Sequence, residues 1–309
     1  MIRIRYYKLE RKDGKSKKQA IKFLYLAAHI LPHRLDWLQF GFGTMTIGKE
    51  NVAKAIGAKM GVSFRGFDAF VYPLKYPGCY DKIWDKVDKV HVLSNSLKNQ
   101  VNHLSDQKDL STTIIEPAID LQENISIKET FIHPLKILTV ARLHWIKGLD
   151  YAIHAMKMLA DQKLEFEYDI IGTGAEYEKL FFMIHDLELT NQVHLIGEKS
   201  HEETLKKFRD YDIYIQPSIS ESYCNAVLEA KAAGLLCIVS ESGGLTDNIK
   251  DYTSGWLVPK MDSNSIALKI KEVMQLEHQE LSRIRKNALT SLNVNSKLKQ
   301  RLLWQNYFE

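Results

Sequence analysis

Two glutamates, Glu221 and Glu229, stand eight residues apart between two apolar runs, 212–216 and 235–239. An acid at the start of a helix that follows a buried strand lies where open α/β sheets bind their ligands. Eight residues span about two helical turns, so both carboxylates could share one helix face and bind two parts of one ligand. The alternative is an acid that stabilises the helix dipole and an unrelated surface glutamate.

Two cations end an earlier apolar run, 136–142. Arg142 and Lys147 lie five residues apart, at a turn and at a predicted helix start. A helix N-terminus favours anions, and a guanidinium with an ammonium suits the acceptor oxygens of a diphosphate. Two unrelated surface cations are the alternative interpretation of this segment.

Glycine turns follow the other predicted strands of the same half. They contain Gly172 and Gly174, then Gly197 beside Lys199, then Gly243 and Gly244. Free amides at such turns suit phosphates or a planar base, and carboxylates suit vicinal hydroxyls. Together the loops indicate a nucleoside diphosphate sugar as ligand. The partial Gly172-Thr-Gly174 fingerprint also leaves open a nicotinamide-dependent dehydrogenase or a nucleotide-sugar epimerase, although no acid precedes Glu198 at the next strand end.

The elements that position these residues alternate regularly between strand and helix. Apolar runs at 136–142, 167–171, 193–196, 212–216, 236–240 and 255–258, with helical spacing between them, predict a parallel sheet over about 134–275. Two further helices are predicted at 278–292 and 296–307. The front half is again α/β, with four strands predicted near 37–40, 60–64, 89–93 and 113–115, and the polar segment 121–133 is predicted to be the linker.

Four segments resemble one family of enzymes. They are Ala141-Arg-Leu-x-x-x-Lys-Gly148, Ile171-Gly-Thr-Gly174, Pro217-Ser-x-x-Glu-Ser-Tyr-Cys-Asn-Ala-Val-Leu-Glu-Ala230 and Gly243-Gly244. In order and approximate spacing they are similar to motifs of the retaining GT-B glycosyltransferases of family 4, the glycosyl transferases group 1. A weaker resemblance extends to 63–68, 91–98 and 115–120, and Arg65 stands where the family usually has histidine.

The resemblance implies a role for each matching residue. Arg142 and Lys147 would hold the diphosphate and stabilise the leaving group, and Glu221 would contact the donor hexose. Glu229 would bind the ribose hydroxyls. The remaining residues of the predicted donor site are Gly172, Gly174, Gly197, Lys199, Gly243, Gly244 and the backbone at Tyr223, Cys224 and Asn225. The family needs no metal in this site, because protein cations stabilise the charge.

The resemblance also implies the fold class, an α/β protein with two Rossmann-like domains facing a cleft, the GT-B arrangement. We expect an incomplete N-terminal, acceptor-side domain at 1–130, because the family's opening strand and glycine-rich loop are not found. The nucleotide-sugar-binding domain is expected at 131–278. The C-terminal helices at 279–309 are expected to pack back on the N-terminal domain.

The predicted activity is transfer of a hexose, with retention, from a UDP or GDP sugar to a saccharide or lipid-linked acceptor in surface polysaccharide synthesis. No cofactor, metal or nucleic-acid partner is expected. The alternative is a truncated protein that binds a nucleotide sugar and transfers nothing. Cys224 lies beside Glu221 at a predicted helix start, which could lower the pKa of its thiol, although a small residue beside backbone ligands is the favoured interpretation.

Charge is unevenly distributed along the 309 residues. Residues 1–130 carry 21 Lys and Arg against 14 Asp and Glu, and residues 1–18 alone carry eight basic and two acidic side chains. Two interpretations of residues 1–18 are a basic surface exposed to solvent and a surface that binds an anionic membrane. Three cysteines without a paired framework, and no apolar core of a signal peptide, predict a cytoplasmic protein, with peripheral contact at the inner membrane face left open.

Overall fold

Two parallel sheets contain the ten strands of the part of the chain that the structure describes. The structure is a computed structural model that describes residues 1–106, 108–119, 128, 130–131 and 133–309. Contacts divide the chain into unit 1, Met1–Glu116 with Gln300–Glu309, and unit 2, Pro117–Lys299. Most of the predicted linker 121–133, and Asp120 of the resembling segment, lie outside the described residues.

Unit 1 holds the first sheet, in the order β1-β2-β3-β4 with every neighbouring pair parallel. The four predicted strands are confirmed to within a few residues. The strands are β1 (Trp37–Phe40), β2 (Lys59–Ser63), β3 (Lys89–Val92) and β4 (Thr112–Ile114). The helices are α1 (Ile2–Lys12), α2 (Lys17–Leu26), α3 (Val52–Ile56), α4 (Tyr72–Lys75), α5 (Asp81–Trp84) and α6 (Asn95–Leu104).

The helical spacing of residues 17–31 predicts α2, whereas residues 1–16 show only an excess of basic charge, so α1 was not predicted. Tyr6 is fully buried, and its hydroxyl donates to the Gly48 carbonyl at 3.2 Å. Ser16 and Gln19 form a capping box that starts α2. None of the described helices is long and apolar enough to cross a bilayer.

A buried polar network crosses the first sheet at His91, which is 1% exposed. Nε2 donates to the Ile115 carbonyl at 3.1 Å, so in the neutral ring Nδ1 accepts from the Ser63 hydroxyl at 2.8 Å. Gln39 donates to the same hydroxyl at 3.0 Å. The pKa of His91 is lowered to about 4, chiefly by burial; the bond to the Ile115 carbonyl opposes this shift, and the charge of Arg65 adds to it.

We expect His91 to make the stability of unit 1 depend on pH. The folded pKa, about 4, lies below the ordinary value of 6.5, so acid protonates the unfolded chain first. The free energy of unfolding should therefore fall as pH drops from 6.5 towards 4, by about 3 kcal/mol in total. Urea unfolding across this range would measure it. The dependence of the unfolding free energy on pH should be lost in His91→Gln and kept in His33→Gln, an exposed control. The same dependence in wild type and His91→Gln would show that His91 does not cause it.

Unit 2 holds the second sheet, in the order β10-β9-β8-β5-β6-β7 with every pair parallel, as the alternation of strands and helices predicted. The strands are β5 (Leu135–Val140), β6 (Phe166–Ile171), β7 (Val193–Gly197), β8 (Ile213–Gln216), β9 (Leu236–Ser240) and β10 (Trp256–Val258). The helices are α7 (Leu149–Asp161), α8 (Tyr177–Asp186), α9 (His201–Lys207), α10 (Asn225–Ala232), α11 (Leu245–Asn248), α12 (Ser263–Met274) and α13 (His278–Ser291). The last helix, α14 (Lys297–Phe308), begins in unit 2 and lies mostly in unit 1.

The core of unit 2 lies on both faces of its sheet. Trp256 and Ile153 are fully buried on one face, and Tyr214 and Val227 on the other. The strands of this sheet are mostly buried on both faces, which explains why the sequence contains nearly continuous apolar runs. Because helices cover both faces of the sheet, the loops that follow the strands lie at its carboxyl edge.

Candidate functional site

The strand order of unit 2 contains one point where the direction of winding reverses. From β5 the chain adds β6 and β7 on one side, then crosses to β8 and adds β9 and β10 on the other. In open parallel sheets, ligands bind in the crevice that this reversal leaves at the carboxyl ends of the strands. The crevice here lies between the loop after β5 and the loop after β8.

These two loops are joined directly. The amide of Ile219 donates to the Ile146 carbonyl at 2.8 Å. Gly148 lies so close to the other loop that a Cβ there would come within 2.3 Å of the Pro217 carbonyl oxygen. Its φ of +61° also favours glycine. The contact holds the end of the first loop, where Lys147 lies, opposite residues 218–221.

An ion pair joins Lys147 to Glu221 across the crevice. The two side chains are only 15% and 13% exposed. Ser218 lies beside the pair, with its hydroxyl 3.4 Å from Oε2 of Glu221. Both residues are predicted to bind one ligand, and in the structure their side chains contact each other.

A series of hydrogen bonds between buried polar side chains leads to Glu221. The Tyr214 hydroxyl donates to Oε1 of Gln216 at 2.7 Å, and Nε2 of Gln216 donates to the Ser218 hydroxyl at 2.9 Å. All three residues are fully buried. This network was not predicted, although polar groups at every second position, 214, 216 and 218, at the end of an apolar strand were a signal for it.

Arg142 lies exposed on the loop after β5, and no side-chain partner is found for it among the described residues. Its neighbours fix the backbone, since the amides of Ala141 and Leu143 donate to the carbonyls of Ile171 and Thr173 at 3.0 and 2.9 Å. The guanidinium is therefore a cation on a fixed backbone at the rim of the crevice. It can bind an anion without first breaking an ion pair in the described structure.

The glycine turns of the predicted donor site mostly bring neighbouring loops together. A Cβ at Gly172 would lie 2.0 Å from the Ala141 carbonyl oxygen, and one at Gly174 would lie 2.3 Å from that of Leu143. Gly243 has a φ of +49°. Gly197 differs, because no atom lies within 4 Å of its Cβ position, and Lys199 beside it is exposed. Among these, the turn at Gly197 offers the most open approach to a ligand.

Gly244 closes the loop after β9 onto the loop that holds Glu221. Its amide donates to the Glu221 carbonyl at 2.7 Å, and a Cβ would lie 2.0 Å from the Ser222 carbonyl oxygen. We expect Gly244→Ala to lower the free energy of unfolding by about 1–3 kcal/mol, because backbone atoms must move apart. Urea unfolding would measure this. Gly41→Ala is the control, since nothing lies within 4 Å of that Cβ position; equal losses in both variants would contradict the steric explanation.

The residues before α10 make their contacts within unit 2. The amide of Cys224 donates to Oδ1 of Asn248 at 3.1 Å, and its predicted contact with the donor stays a prediction. The pKa of the Cys224 thiol is raised to about 12, by burial first and then by the charge of Glu221, so the predicted lowering is wrong. Tyr223 is buried, and its hydroxyl accepts from Asn295 at 3.0 Å. Asn225, the first residue of α10, is exposed.

Glu229 points to a different partner from Glu221. Helix α10 begins at Asn225, so Glu221 lies in the loop before it, and the prediction that both acids share a helix face is wrong. Oε1 of Glu229 lies 2.9 Å from Nε2 of His201, the first residue of α9. Nothing in the sequence predicted this contact, which joins residues 28 positions apart.

A cavity of about 160 Å³ opens beside Glu229, between α9 and α10. His201 and Leu205 line it from α9, and Asn225, Glu229 and Ala232 line it from α10. Arg209 and Lys297 also line the cavity, so charged and apolar groups are mixed in its lining. This combination suits a ligand that offers both hydroxyl groups and carbon atoms.

Acidic residues that could suggest a metal lie at the other edge of the sheet. Asp210 and Asp212 precede β8, and the carboxylate of Asp212 is buried, accepts from the Lys136 amide at 3.1 Å and lies 3.6 Å from Nζ of Lys128. Within the described residues, no three His, Cys, Asp or Glu side chains group in a way that could hold a metal ion. The predicted metal independence remains a prediction.

A model of the family described as Glycosyl transferases group 1 matches residues 122–290, more than half of the chain. The chain belongs to this family. The predicted family resemblance is thereby confirmed at this level, and the alternative of a nicotinamide-dependent dehydrogenase or an epimerase is set aside. The matched region contains every residue of the predicted donor site.

Named relatives align with about half of the chain. The amylovoran biosynthesis glycosyltransferase AmsK of Erwinia amylovora is 36% identical over 160 residues, which are 50% of this chain and 39% of the relative. The putative colanic acid biosynthesis glycosyltransferase WcaL of Escherichia coli K12 is 32% identical over 161 residues, 50% of this chain and 40% of the relative. The chain thus spans about two fifths of the length of these relatives.

Solved structures match nearly the whole chain in fold. Anabaena Alr3699/HepE in complex with UDP has a TM-score of 0.75 at 14% identity, over 92% of this chain and 81% of that one. A glycosyltransferase of Rickettsia africae has a TM-score of 0.74 at 19% identity, over 92% and 79%. The predicted fold class, α/β with two parallel sheets as in GT-B glycosyltransferases, is confirmed.

Proposed function

We propose that unit 2 binds a nucleoside diphosphate sugar in the crevice between β5 and β8. The observation that carries this proposal is the Lys147–Glu221 pair at the winding reversal, with Arg142 exposed on the same loop as Lys147. Two cations and a carboxylate at one crevice match a ligand that has a diphosphate joined to a hydroxylated ring. A UDP or GDP sugar has this chemistry.

Each charged group would bind a different part of the donor. Arg142 and Lys147 would bind the diphosphate, which gains negative charge as it leaves, so they would stabilise the transition state. Glu221 would accept hydrogen bonds from hexose hydroxyls. Glu229 would accept from the ribose hydroxyls beside the cavity, with His201 holding its other side. Gly197 and Lys199 would lie near the base.

We further propose the reaction of a retaining family 4 glycosyltransferase. The hexose would pass to a saccharide or lipid-linked acceptor, with its anomeric configuration kept, in surface polysaccharide synthesis. The names of the relatives, which concern amylovoran and colanic acid biosynthesis, support a role in polysaccharide synthesis. The UDP and UDP-glucose complexes of Alr3699/HepE support a UDP donor. The donor's own phosphate would accept the proton of the acceptor hydroxyl as the new glycosidic bond forms and the nucleoside diphosphate leaves.

The first experiment measures donor binding and transfer separately. Calorimetry with UDP, GDP and their sugars tests binding, and radiolabelled sugar transfer to polysaccharide or lipid acceptors tests turnover. Proton NMR of the product would give its anomeric configuration. Binding without any product would favour the alternative of a nucleotide-sugar-binding protein, and absence of binding in the folded protein would overturn the donor site.

Glu229 offers a test that is specific for the ribose. We expect Glu229→Ala to weaken the binding of UDP and of UDP-sugars alike, by about tenfold, because the lost hydrogen bonds reach a part common to both ligands. Calorimetry of both ligands would measure it. Glu202→Ala is a control, since that exposed acid pairs only with Lys206 four residues later among the described residues. If the two ligands lost different amounts of affinity, Glu229 would have to bind a part of the donor other than the ribose.

A further inference from the structure

A half-buried arginine of unit 1 lies at the carboxyl edge of its sheet. Arg65 follows the last residue of β2, Ser63, by two positions. Among the residues that the structure describes, its guanidinium donates no hydrogen bond and forms no ion pair. Burial lowers the pKa of this guanidinium and the charge of Asp68 opposes the shift, but an arginine stays charged near neutral pH. A half-buried cation of this kind is stabilised by an anion that reaches it.

The nearby acid, Asp68, does not neutralise Arg65 by direct contact. Its carboxylate is fully buried, and Oδ1 accepts from the amide and the hydroxyl of Thr44 at 3.0 and 2.9 Å. Oδ2 accepts from the backbone amide of Arg65 at 3.1 Å. Asp68 thus joins the loop after β1 to the loop after β2, and both of its oxygens bind groups other than the guanidinium.

The two loops joined in this way expose apolar side chains. In the loop after β1, Phe42 and Met45 are each 49% exposed. In the segment after β2, Phe67 is 59% exposed, and its ring centroid lies 5.9 Å from that of Tyr72, which supports it from one side. An exposed aromatic ring can pack against the C–H groups of a sugar ring. The loop pair therefore offers one cation and several apolar side chains at one edge of the sheet.

The charge of these loops matches a ligand with a single negative charge. Residues 41–47 and 64–74 contain one Lys or Arg, Arg65, and one Asp or Glu, the buried Asp68. A guanidinium binds a carboxylate through two parallel hydrogen bonds and balances its one charge. A lipid diphosphate carries a larger charge than these loops balance, and a neutral sugar would leave the guanidinium without an anion.

We propose that the loops after β1 and β2 bind an acidic saccharide as the acceptor, with Arg65 on its carboxylate and Phe67 against its ring. The proposal rests on the proposed sugar transfer, because an acceptor is needed only if the chain transfers a sugar. Arg65 is then a specificity residue, which selects an acceptor by its carboxylate, while the transferred hexose joins a hydroxyl of the same saccharide.

Saturation-transfer NMR with the full chain tests acceptor binding without requiring turnover. The probes are phenyl β-D-glucuronide and phenyl β-D-glucoside, which differ by a carboxylate in place of a hydroxymethyl group. We expect wild type to bind the glucuronide about 10- to 100-fold more tightly, the range for hydrogen bonds between charged groups. Arg65→Gln should remove this preference, and Arg65→Lys should leave an intermediate one. Arg34→Gln, which removes an exposed arginine of the same unit, is the matched control and should behave like wild type.

A second variant tests the apolar part of the surface. Phe67→Ala should weaken the binding of both probes about fivefold and leave the preference for the glucuronide unchanged, because the sugar ring is common to both. If Phe67→Ala bound both probes like wild type, Phe67 would not contact the saccharide, and this part of the proposal would be wrong.

Three results would overturn the role of Arg65. They are equal binding of the two probes by wild type, an unchanged preference in Arg65→Gln, and tighter binding of farnesyl diphosphate than of the glucuronide, which would assign the cation to a lipid phosphate. Calorimetry with UDP on the same variants should show unchanged affinity, because the proposed donor crevice lies in unit 2. Loss of UDP binding with the glucuronide preference kept would overturn the donor site alone, and the reverse result would overturn this inference alone.

Discussion

Replacing Arg142 by alanine is expected to lower the rate of sugar transfer about 100- to 1,000-fold, the loss typical when one preformed group that stabilises transition-state charge is removed. The guanidinium is exposed at the rim of the crevice on a backbone fixed by two hydrogen bonds. The leaving diphosphate gains charge as the sugar departs, so Arg142 should contribute more in the transition state than in the bound donor. Initial rates at saturating donor, with UDP affinity measured alongside, would show whether the loss falls on turnover.

Arg142→Lys is the matched variant for this experiment. It keeps the positive charge but loses the planar fork that binds two phosphate oxygens together. An intermediate rate is expected, with folding unchanged because the side chain is exposed. If Arg142→Ala turned over as fast as wild type, the leaving group would have to be stabilised elsewhere. Loss of UDP affinity alone, with turnover kept, would make Arg142 a binding residue and not a catalytic one.

The sequence predicted which loops form the crevice, and the reason is geometrical. All neighbouring strands of unit 2 are parallel, so the segments that follow them must reach the same edge of the sheet. That is enough to bring Arg142 and Lys147 to the loop after β5 and Glu221 to the loop after β8. It does not determine which side chains touch, because side-chain direction depends on loop conformation.

The contacts that the sequence could not predict join distant positions. Lys147 and Glu221 are 74 residues apart, and their pairing depends on the contact of Gly148 with Pro217. The start of α10 was uncertain because Cys224, the residue before it, has no capping side chain. Helix α1 was missed because its buried side includes polar residues, so that Glu10 hid the helical pattern.

Glu221→Gln is expected to separate the binding of UDP from the binding of a UDP-sugar. In the ligand-free chain Glu221 neutralises Lys147, and both side chains are largely buried. The substitution keeps the shape of the side chain but removes its charge, so it leaves the ammonium of Lys147 available for phosphate. Affinity for UDP, which has no hexose, should therefore rise or stay the same.

Affinity for the UDP-sugar should fall in the same variant, by about 10- to 100-fold, because hydrogen bonds from hexose hydroxyls to a charged acceptor are lost. Calorimetry with the two ligands gives both numbers, and their ratio cancels any general loss of folded protein. Glu229→Ala supplies the contrast, since it should weaken both ligands equally. If Glu221→Gln also weakened both equally, Glu221 would act only by holding Lys147 in place, and the hexose would have to be bound by other groups.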